Sequence, residues 1–571
     1  MYSSEALDIQ GVKYLRKVEL FCDYENAKLY KSDEYNECHS ENVFSYDKIN
    51  GQSIDGIPIS VTRNRDGGLD VAFVPDTHVL AIGATRSGKT TGYVIPTLNI
   101  LMSKKNKPSL VISDPKQELY SNYSSKFEKN GYNVILLDFT NYRYSDCWNP
   151  LTKYYRYYQK YLTVEDEVGV VATSGGMRNM FRGKIYEDES DLELDINEVK
   201  EEYFAEVEKG IMSVASSIIP TMNTKDPFWE DSARDLLCAI LYAMLEDSAT
   251  GEITEEKFSF DTVLRIFDSF SDLGTTYDRG YFTDRDIEKS KGLQLAQKCI
   301  IEQASNTRKC ICSSFVAKMN KFRDTSVRKI TCANTFEISE LDDSDKPTVI
   351  FLSYKDEESL HYDVISMFLT NLYTELIATA RKKRSKLDRP FYFMLDEFGN
   401  LPKFKDFDKV ISACGGRNIW FLLILQSYAQ LYNIYEKNIA EIIKDNLNTH
   451  IFFGTNNPQT KREFSEECGK KTIIAPTSAL NGTGESVEKY EKDTVSLIPV
   501  SALNRIEPGE CIITQMREDV LWSHIERSYM CAEFDGEVCR VEDRMPKIRF
   551  SDPKYNYRMK KEQKSPFYNV D

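Results

Sequence analysis

The stretch His78-Val79-Leu80-Ala81-Ile82 runs directly into Gly83-Ala84-Thr85-Arg86-Ser87-Gly88-Lys89-Thr90. Its first part is a short apolar run of the kind that forms a strand buried on both faces. Its second part satisfies G-x-x-x-x-G-K-[ST] at every position. Beyond Thr91, the spacing of Tyr93, Val94, Leu98 and Leu101 predicts a helix. Strand, glycine-rich loop and helix N-terminus in that order make a cradle for phosphate groups. The glycines let backbone N–H groups turn inward, and the helix adds the positive end of its dipole. Lys89 would neutralise phosphate charge, and Thr90 would offer a hydroxyl to Mg2+. The candidate nucleotide-binding set is therefore Gly83 to Thr90 with Thr91.

Working outward, the same apolar texture recurs at Ser109–Ser113, Asn133–Asp138, Thr348–Ser353, Phe391–Asp396, Ile419–Leu425 and His450–Phe453. Each run is bounded by turn or charged residues, so the fold class is α/β with a parallel-rich sheet. The middle differs. Asp226-Pro227-Phe228-Trp229 reads as a helix start, with Asp226 as cap and Pro227 at the first position. Helical stripes follow, beginning with Leu236, Leu237, Ile240, Leu241, Met244 and Leu245. The expected organisation is an N-terminal β-like region (1–75), a nucleotide-binding domain in two parts (76–228 and 341–540), an all-α insertion (229–340), and a basic tail (541–571) expected to be flexible.

A phosphate-binding loop needs an acidic partner on a neighbouring strand tip. Phe391-Tyr392-Phe393-Met394-Leu395 ends in Asp396-Glu397, which puts two carboxylates at the edge where open α/β sheets bind ligands. Asp396 would hold Mg2+ through its water shell, and Glu397 would act as general base on the attacking water. Gln426 follows the strand Ile419–Leu425. It reads either as a residue that senses the γ-phosphate and orients water, or as a plain strand-end turn. Arg417 precedes that strand, at the opposite edge. It reads either as an arginine supplied to a neighbouring subunit's nucleotide, or as a solvated loop residue.

At 571 residues the chain has room for about three or four domains. With 41 % hydrophobic and 28 % charged residues it is globular rather than disordered. Its purest apolar run, Ile419–Leu425, falls far short of the roughly 20 residues of a membrane span. The first thirty residues show no apolar signal-peptide core, so the expected compartment is the cytoplasm. Thirteen scattered cysteines with no C-x-x-C pair, and five histidines without ligand spacing, form no zinc pattern and read as reduced core thiols. The net charge of −16 is uneven: Glu187–Glu208 holds eleven acids against the single base Lys200. Lys298–Lys329 and Arg540–Lys564 are locally basic, so the total does not exclude nucleic acid.

Several motifs in order give the chain a further likeness. They are the loop at 83–90, Asp114-Pro115-Lys116, Trp148-Asn149-Pro150-Leu151 and Phe228-Trp229. After them come Leu395-Asp396-Glu397-Phe398-Gly399-Asn400-Leu401-Pro402, Gln426-Ser427 and Gly454-Thr455-Asn456-Asn457-Pro458. In this series the chain resembles the coupling proteins of type IV secretion, over about residues 73–525. The resemblance implies a RecA-like nucleotide-binding domain interrupted by an all-α domain, hydrolysing ATP with Mg2+ as a homo-hexamer with nucleotide between subunits. It implies that DNA and the relaxase of a mobile element are recruited and delivered to the channel components. The all-α domain, with its basic Arg308–Lys329 region, would meet that substrate. Many family members begin with transmembrane helices and this sequence has none. The expectation is a chain working at the inner face of the cell membrane, with membrane contact through a separate anchor protein. Two other functions fit the same residues: a coupling ATPase for protein effectors, and a slow-turnover nucleotide-binding docking adaptor.

Overall fold

The computed structural model describes residues 8–9, 12–13, 27–173, 176–220, 227–271, 281–282, 284–355, 361–401, 403–404, 406–480, 486–544, 547–548 and 553–555. Its centre is a ten-stranded sheet. In chain order the strands are β1 (Leu29–Lys31), β2 (Val79–Ile82), β3 (Ser109–Ser113), β4 (Asn133–Asp138) and β5 (Thr348–Ser353). Then come β6 (Phe391–Leu395), β7 (Ile419–Leu425), β8 (Thr449–Phe452), β9 (Glu510–Gln515) and β10 (Val520–His524). The spatial order is β1-β10-β9-β8-β2-β7-β6-β3-β5-β4. From β8 to β4 every neighbouring pair is parallel. The sheet is then extended by the antiparallel pairs β8–β9 and β9–β10, with β1 parallel to β10 at the edge. All seven predicted strands are present in the parallel part.

Strand periodicity divides the sheet between two cores. Leu80, Ile82, Val111, Ile135, Leu137, Ile350, Leu352, Phe393, Leu395, Leu423 and Leu425 face one side. Val79, Ala81, Leu110, Ile112, Leu136, Val349, Phe351, Met394, Leu422 and Ile424 face the other. Successive side chains point to opposite faces, so both halves of each apolar run are buried. The second face is covered by helices α1 (Ile95–Ser103) and α2 (Glu118–Lys129) and by strands 43–45, 57–63 and 69–74, which form a three-stranded antiparallel sheet. The first face is continuous with the helical block. From α4 (Glu189–Ile218) to the short turn Ile338–Glu340, every element among the described residues is helical.

Within that block, α5 (Phe228–Ser248) is buried nearly all round, from Ala233 to Leu245. Pro227 stands one place before the helix rather than at its first position, because the turn it starts closes only at Asp231 N–H, which donates to Pro227 O. Asp226, expected as the cap, lies outside the described residues, as does Pro402. The acidic stretch Glu187–Glu208 is helical from Glu189. Asp188 caps α4 by accepting from the Ser190 N–H (2.9 Å). Glu189 and Asp191 in the first turn complement the helix dipole, an effect confined to that turn. Leu192 and Ile196 anchor that half of α4 on Phe181 and Tyr186 of a three-stranded sheet (169–186). The C-terminal half of α4 packs on α3 (Thr152–Thr163) at Gly210, where a Cβ would lie 1.8 Å from the Tyr154 ring. Only glycine leaves room for that ring.

The start of the basic tail is anchored. Arg544 and Lys547 both pair with Asp146, which is fully buried, with Lys547 Nζ 2.7 Å from Oδ1. The rest of the tail lies outside the described residues apart from 553–555. Burial works to raise the Asp146 carboxyl, but the Arg544 and Lys547 charges outweigh it and hold the group below its usual range. A carboxylate with a depressed folded-state pKa contributes stability that is complete above the unfolded value, about 3.9, and is lost as pH falls through the folded one. Arg544→Gln is expected to destabilise the chain by about 2 kcal/mol and to move the acid limb of its pH–stability curve upward. Urea midpoints of wild type and variant between pH 3 and pH 7 check both.

Candidate active site

The parallel register decides which residues meet. Leu425, Ile82 and Phe452 lie side by side at the ends of β7, β2 and β8. Leu395 lies opposite Leu423 and Ser113. Gly83, Asp114, Asp396 and Gln426 therefore leave the sheet at its C-terminal edge. The loop between β2 and α1 is locked to its neighbours: Gly83 N–H donates to Leu425 O (2.9 Å) and Ala84 N–H to Gly454 O (2.8 Å). Within it, Arg86 and Gly88 adopt positive φ (67° and 97°). A Cβ at Gly83 would fall 2.3 Å from Ser87 Oγ, so the loop closes only around glycine. The helix then opens with a wide π-helical turn at Thr90–Val94 before α1. Pro96, with no N–H to return four residues back, removes a rung of the regular ladder there.

Lys89 Nζ lies on the loop's own carbonyls, 2.5 Å from Gly83 O and 3.1 Å from Ala84 O. Burial lowers its pKa, opposed by the charges of Asp396 and Glu397. Thr90 Oγ1 donates to Asp396 Oδ2 across 3.5 Å, joining the loop to the carboxylate strand. Asp396 Oδ1 accepts from the Glu397 N–H (2.9 Å), and Ser113 Oγ supports the Asp396 carbonyl (3.0 Å). Burial raises the Asp396 carboxyl despite Lys89 nearby. A hydroxyl and a carboxylate kept short of compensating charge are the donor set Mg2+ takes beside a triphosphate, so the residues present fit the ion.

Glu397 has a left-handed backbone (φ 52°), an uncommon state for a side chain with a Cβ. It turns the chain out of the strand's alternation, and Asn400 Nδ2 holds the carboxylate from the side (2.9 Å to Oε2). Gln426 is fixed by its backbone. Its N–H donates to Gln430 Oε1 (2.8 Å), and its carbonyl accepts from Thr455 Oγ1 (2.8 Å). Gly399 makes room for the Gln430 amide, since a Cβ there would come within 2.6 Å of it. The Gln426 carboxamide itself has no hydrogen-bond partner among the described residues and is directed by the backbone alone.

Five of the predicted residues, Lys89, Thr90, Asp396, Glu397 and Gln426, thus share one edge. Arg417 does not join them. It ends a short turn at the start of β7, at the opposite edge, where Nη1 donates to Ala413 O and the backbone carbonyl accepts from Leu387 N–H (3.1 Å). Asp114, quoted above only as part of a motif, proves to be a further member of the edge. It is buried, accepts from Tyr120 N–H (2.8 Å), and burial pushes its carboxyl up to about 6. Lys116, two residues on, adds positive charge that acts on both Asp396 and Lys89. The signal was available: Asp114 follows an apolar strand as Asp396 does.

The family described as Type IV secretory system Conjugative DNA transfer matches residues 50–497. Protein VirD4 of Rhizobium radiobacter is 22 % identical over 414 residues, covering 71 % of this chain and 50 % of that protein. The chain therefore spans about half the length of the curated relative it matches. Among solved structures, the plasmid coupling protein TrwB in complex with the non-hydrolysable ATP analogue ADPNP is similar with a TM-score of 0.54. That match has 13 % identity and covers 90 % of this chain and 96 % of that one. TrwB in complex with ADP and Mg2+ gives a TM-score of 0.50 at 13 % identity, covering 79 % and 85 %. These likenesses bear on the fold, a RecA-like nucleotide-binding domain carrying an all-α domain, which the sheet order and helical block reproduce. With more than half its length matched, the chain belongs to the type IV secretory system conjugative DNA transfer family.

Proposed function

We propose that this chain is an ATP-hydrolysing coupling protein that recruits a relaxase–DNA substrate and delivers it to a type IV secretion channel. The carrying observation is the convergence of the Gly83–Thr91 loop, Asp396, Glu397 and Gln426 on one sheet edge. Membership of the family supports the choice of substrate, and the nucleotide complexes named for TrwB support ATP and Mg2+.

In this reading Lys89 leaves the Gly83 and Ala84 carbonyls and turns to the phosphates, while the backbone N–H groups of Arg86 to Thr91 enclose them. Thr90 and Asp396 would hold Mg2+, which when bound would neutralise charge on the transferred group. Glu397, kept in place by Asn400, accepts the proton of the attacking water, and Gln426 orients that water. Arg417 completes the site of the next subunit in a homo-hexameric ring, since its own edge is remote from its own loop. The helical block, with the basic Arg308–Lys329 region, engages the DNA or relaxase at the cytoplasmic face of the membrane.

Lys89→Ala is expected to weaken ATP binding, and Glu397→Gln to bind ATP while losing at least about a hundred-fold in turnover. Equilibrium binding and steady-state hydrolysis, with and without DNA, check this pair. Equal, DNA-blind rates in wild type and Glu397→Gln would instead favour a slow docking adaptor. A second test mixes two inactive variants. In a random ring of Arg417→Ala and Lys89→Ala chains, about a quarter of sites carry both an intact loop and an intact neighbouring arginine. Hydrolysis restored toward that fraction supports the ring, whereas full activity of Arg417→Ala alone contradicts it.

A further inference from the structure

The segment after the last strand lies across the start of the loop helix and is tied down on both sides. Glu526 N–H donates to Val61 O (2.9 Å), and Arg63 Nη2 donates to Met530 O (3.2 Å) while lying 3.8 Å from the Glu526 carboxylate. Ile525 is buried, and its Cγ2 lies 4.0 Å from where a side chain on Gly92 would begin. Between these anchors Arg527 reaches Gly88. A Cβ built there would sit 2.9 Å from each of Arg527 Cζ, Nη1 and Nη2. Three equal distances mean that the guanidinium plane faces the glycine. Gly88 is therefore required twice, for its φ of 97° and for the arginine lying against it.

Arg527 is half-buried, and its guanidinium has neither a hydrogen bond nor an ion pair among the described residues. Its neighbours on the loop, Arg86 and Lys89, are also cationic. A cation beside two others gains from an anionic partner, and its planar fork of N–H donors matches phosphate geometry. Resting on the nucleotide-site reading above, we propose that Arg527 is a nucleotide-binding residue supplied by the same chain. It contacts the phosphate chain of bound ATP from the side of the loop opposite Asp396. The strand 57–63 serves it as a brace, through Val61 and Arg63.

The test uses the full chain, with a non-hydrolysable ATP analogue and inorganic triphosphate as titrants. Arg527→Gln keeps the packed stem and removes the charge, while Arg527→Lys keeps the charge and loses the fork. Ligand-free thermal midpoints of both variants check that the fold is retained. The expected result is about ten-fold weaker binding of both titrants to Arg527→Gln, partly restored in Arg527→Lys, with the change in hydrolysis falling mainly on KM. Unchanged binding of inorganic triphosphate in Arg527→Gln overturns the phosphate contact, whether or not ATP affinity falls. If Lys89→Ala binds as wild type does, the nucleotide-site reading itself fails and takes this proposal with it. Loss confined to Arg527→Gln against an intact Lys89 effect leaves that reading standing and supports the new one.

Discussion

The parallel pairing of Val79–Ile82 with Ile419–Leu425 is the contact on which the site depends. It joins segments more than three hundred residues apart, and it brings Gly83 N–H onto Leu425 O. Once that register is set, the neighbouring strands bring Asp396, Asp114 and Phe453 to the same edge without further devices. The register is firmly specified because both faces of these strands are buried. A slip by one residue would exchange the two cores, carrying large side chains such as Phe351 and Phe393 into spaces shaped for others.

Regularity ends where the strands end. Within a few residues of the edge stand Arg86 and Glu397 with positive φ, and two carboxyls, Asp114 and Asp396, raised by burial. Each is unfavourable locally. The packed sheet tolerates them because its own stability lies elsewhere, in the apolar runs behind them. Concentrating strain and uncompensated charge at one edge of an otherwise well-paired sheet is the physical signature of a surface prepared for a charged ligand.

What was legible in the sequence follows from locality. The seven parallel strands announced themselves because two-sided burial leaves unbroken apolar runs, and the loop because each of its residues answers a requirement of its own turn. The antiparallel extension, Glu510–Gln515 and Val520–His524, was not legible. These strands are shorter in apolar content, and Leu29–Lys31 joins them from the far end of the chain. The acidic run was legible as charge but not as a helix, since its buried positions are few: Leu192 and Ile196 pack on a small separate sheet, and Val207 joins the main core. Asp146 and Arg527 are fixed by residues hundreds of positions away, which no local pattern encodes.

The two arginines of interest sit at opposite ends of this polar sheet, and the difference in how they are held is instructive. Arg417 is folded onto its own helix end, where Ala413 O takes Nη1 and Nε is buried without a partner among the described residues. Arg527 lies against the loop of its own chain with all its donors uncommitted among the described residues. In the proposed ring, assembly would have to release Arg417 from its local bond to Ala413 O before it could reach a neighbouring subunit. In its proposed role Arg527 would need no such release, only a rigid brace, and Arg63 and Val61 hold the residues on either side of it. A head-to-tail ring presents two different surfaces at each interface, so one sheet edge can carry the loop and the other the arginine for its neighbour. In the proposed ring, the polarity of parallel pairing, set by buried apolar side chains, would separate what a chain does for its own nucleotide from what it does for the next.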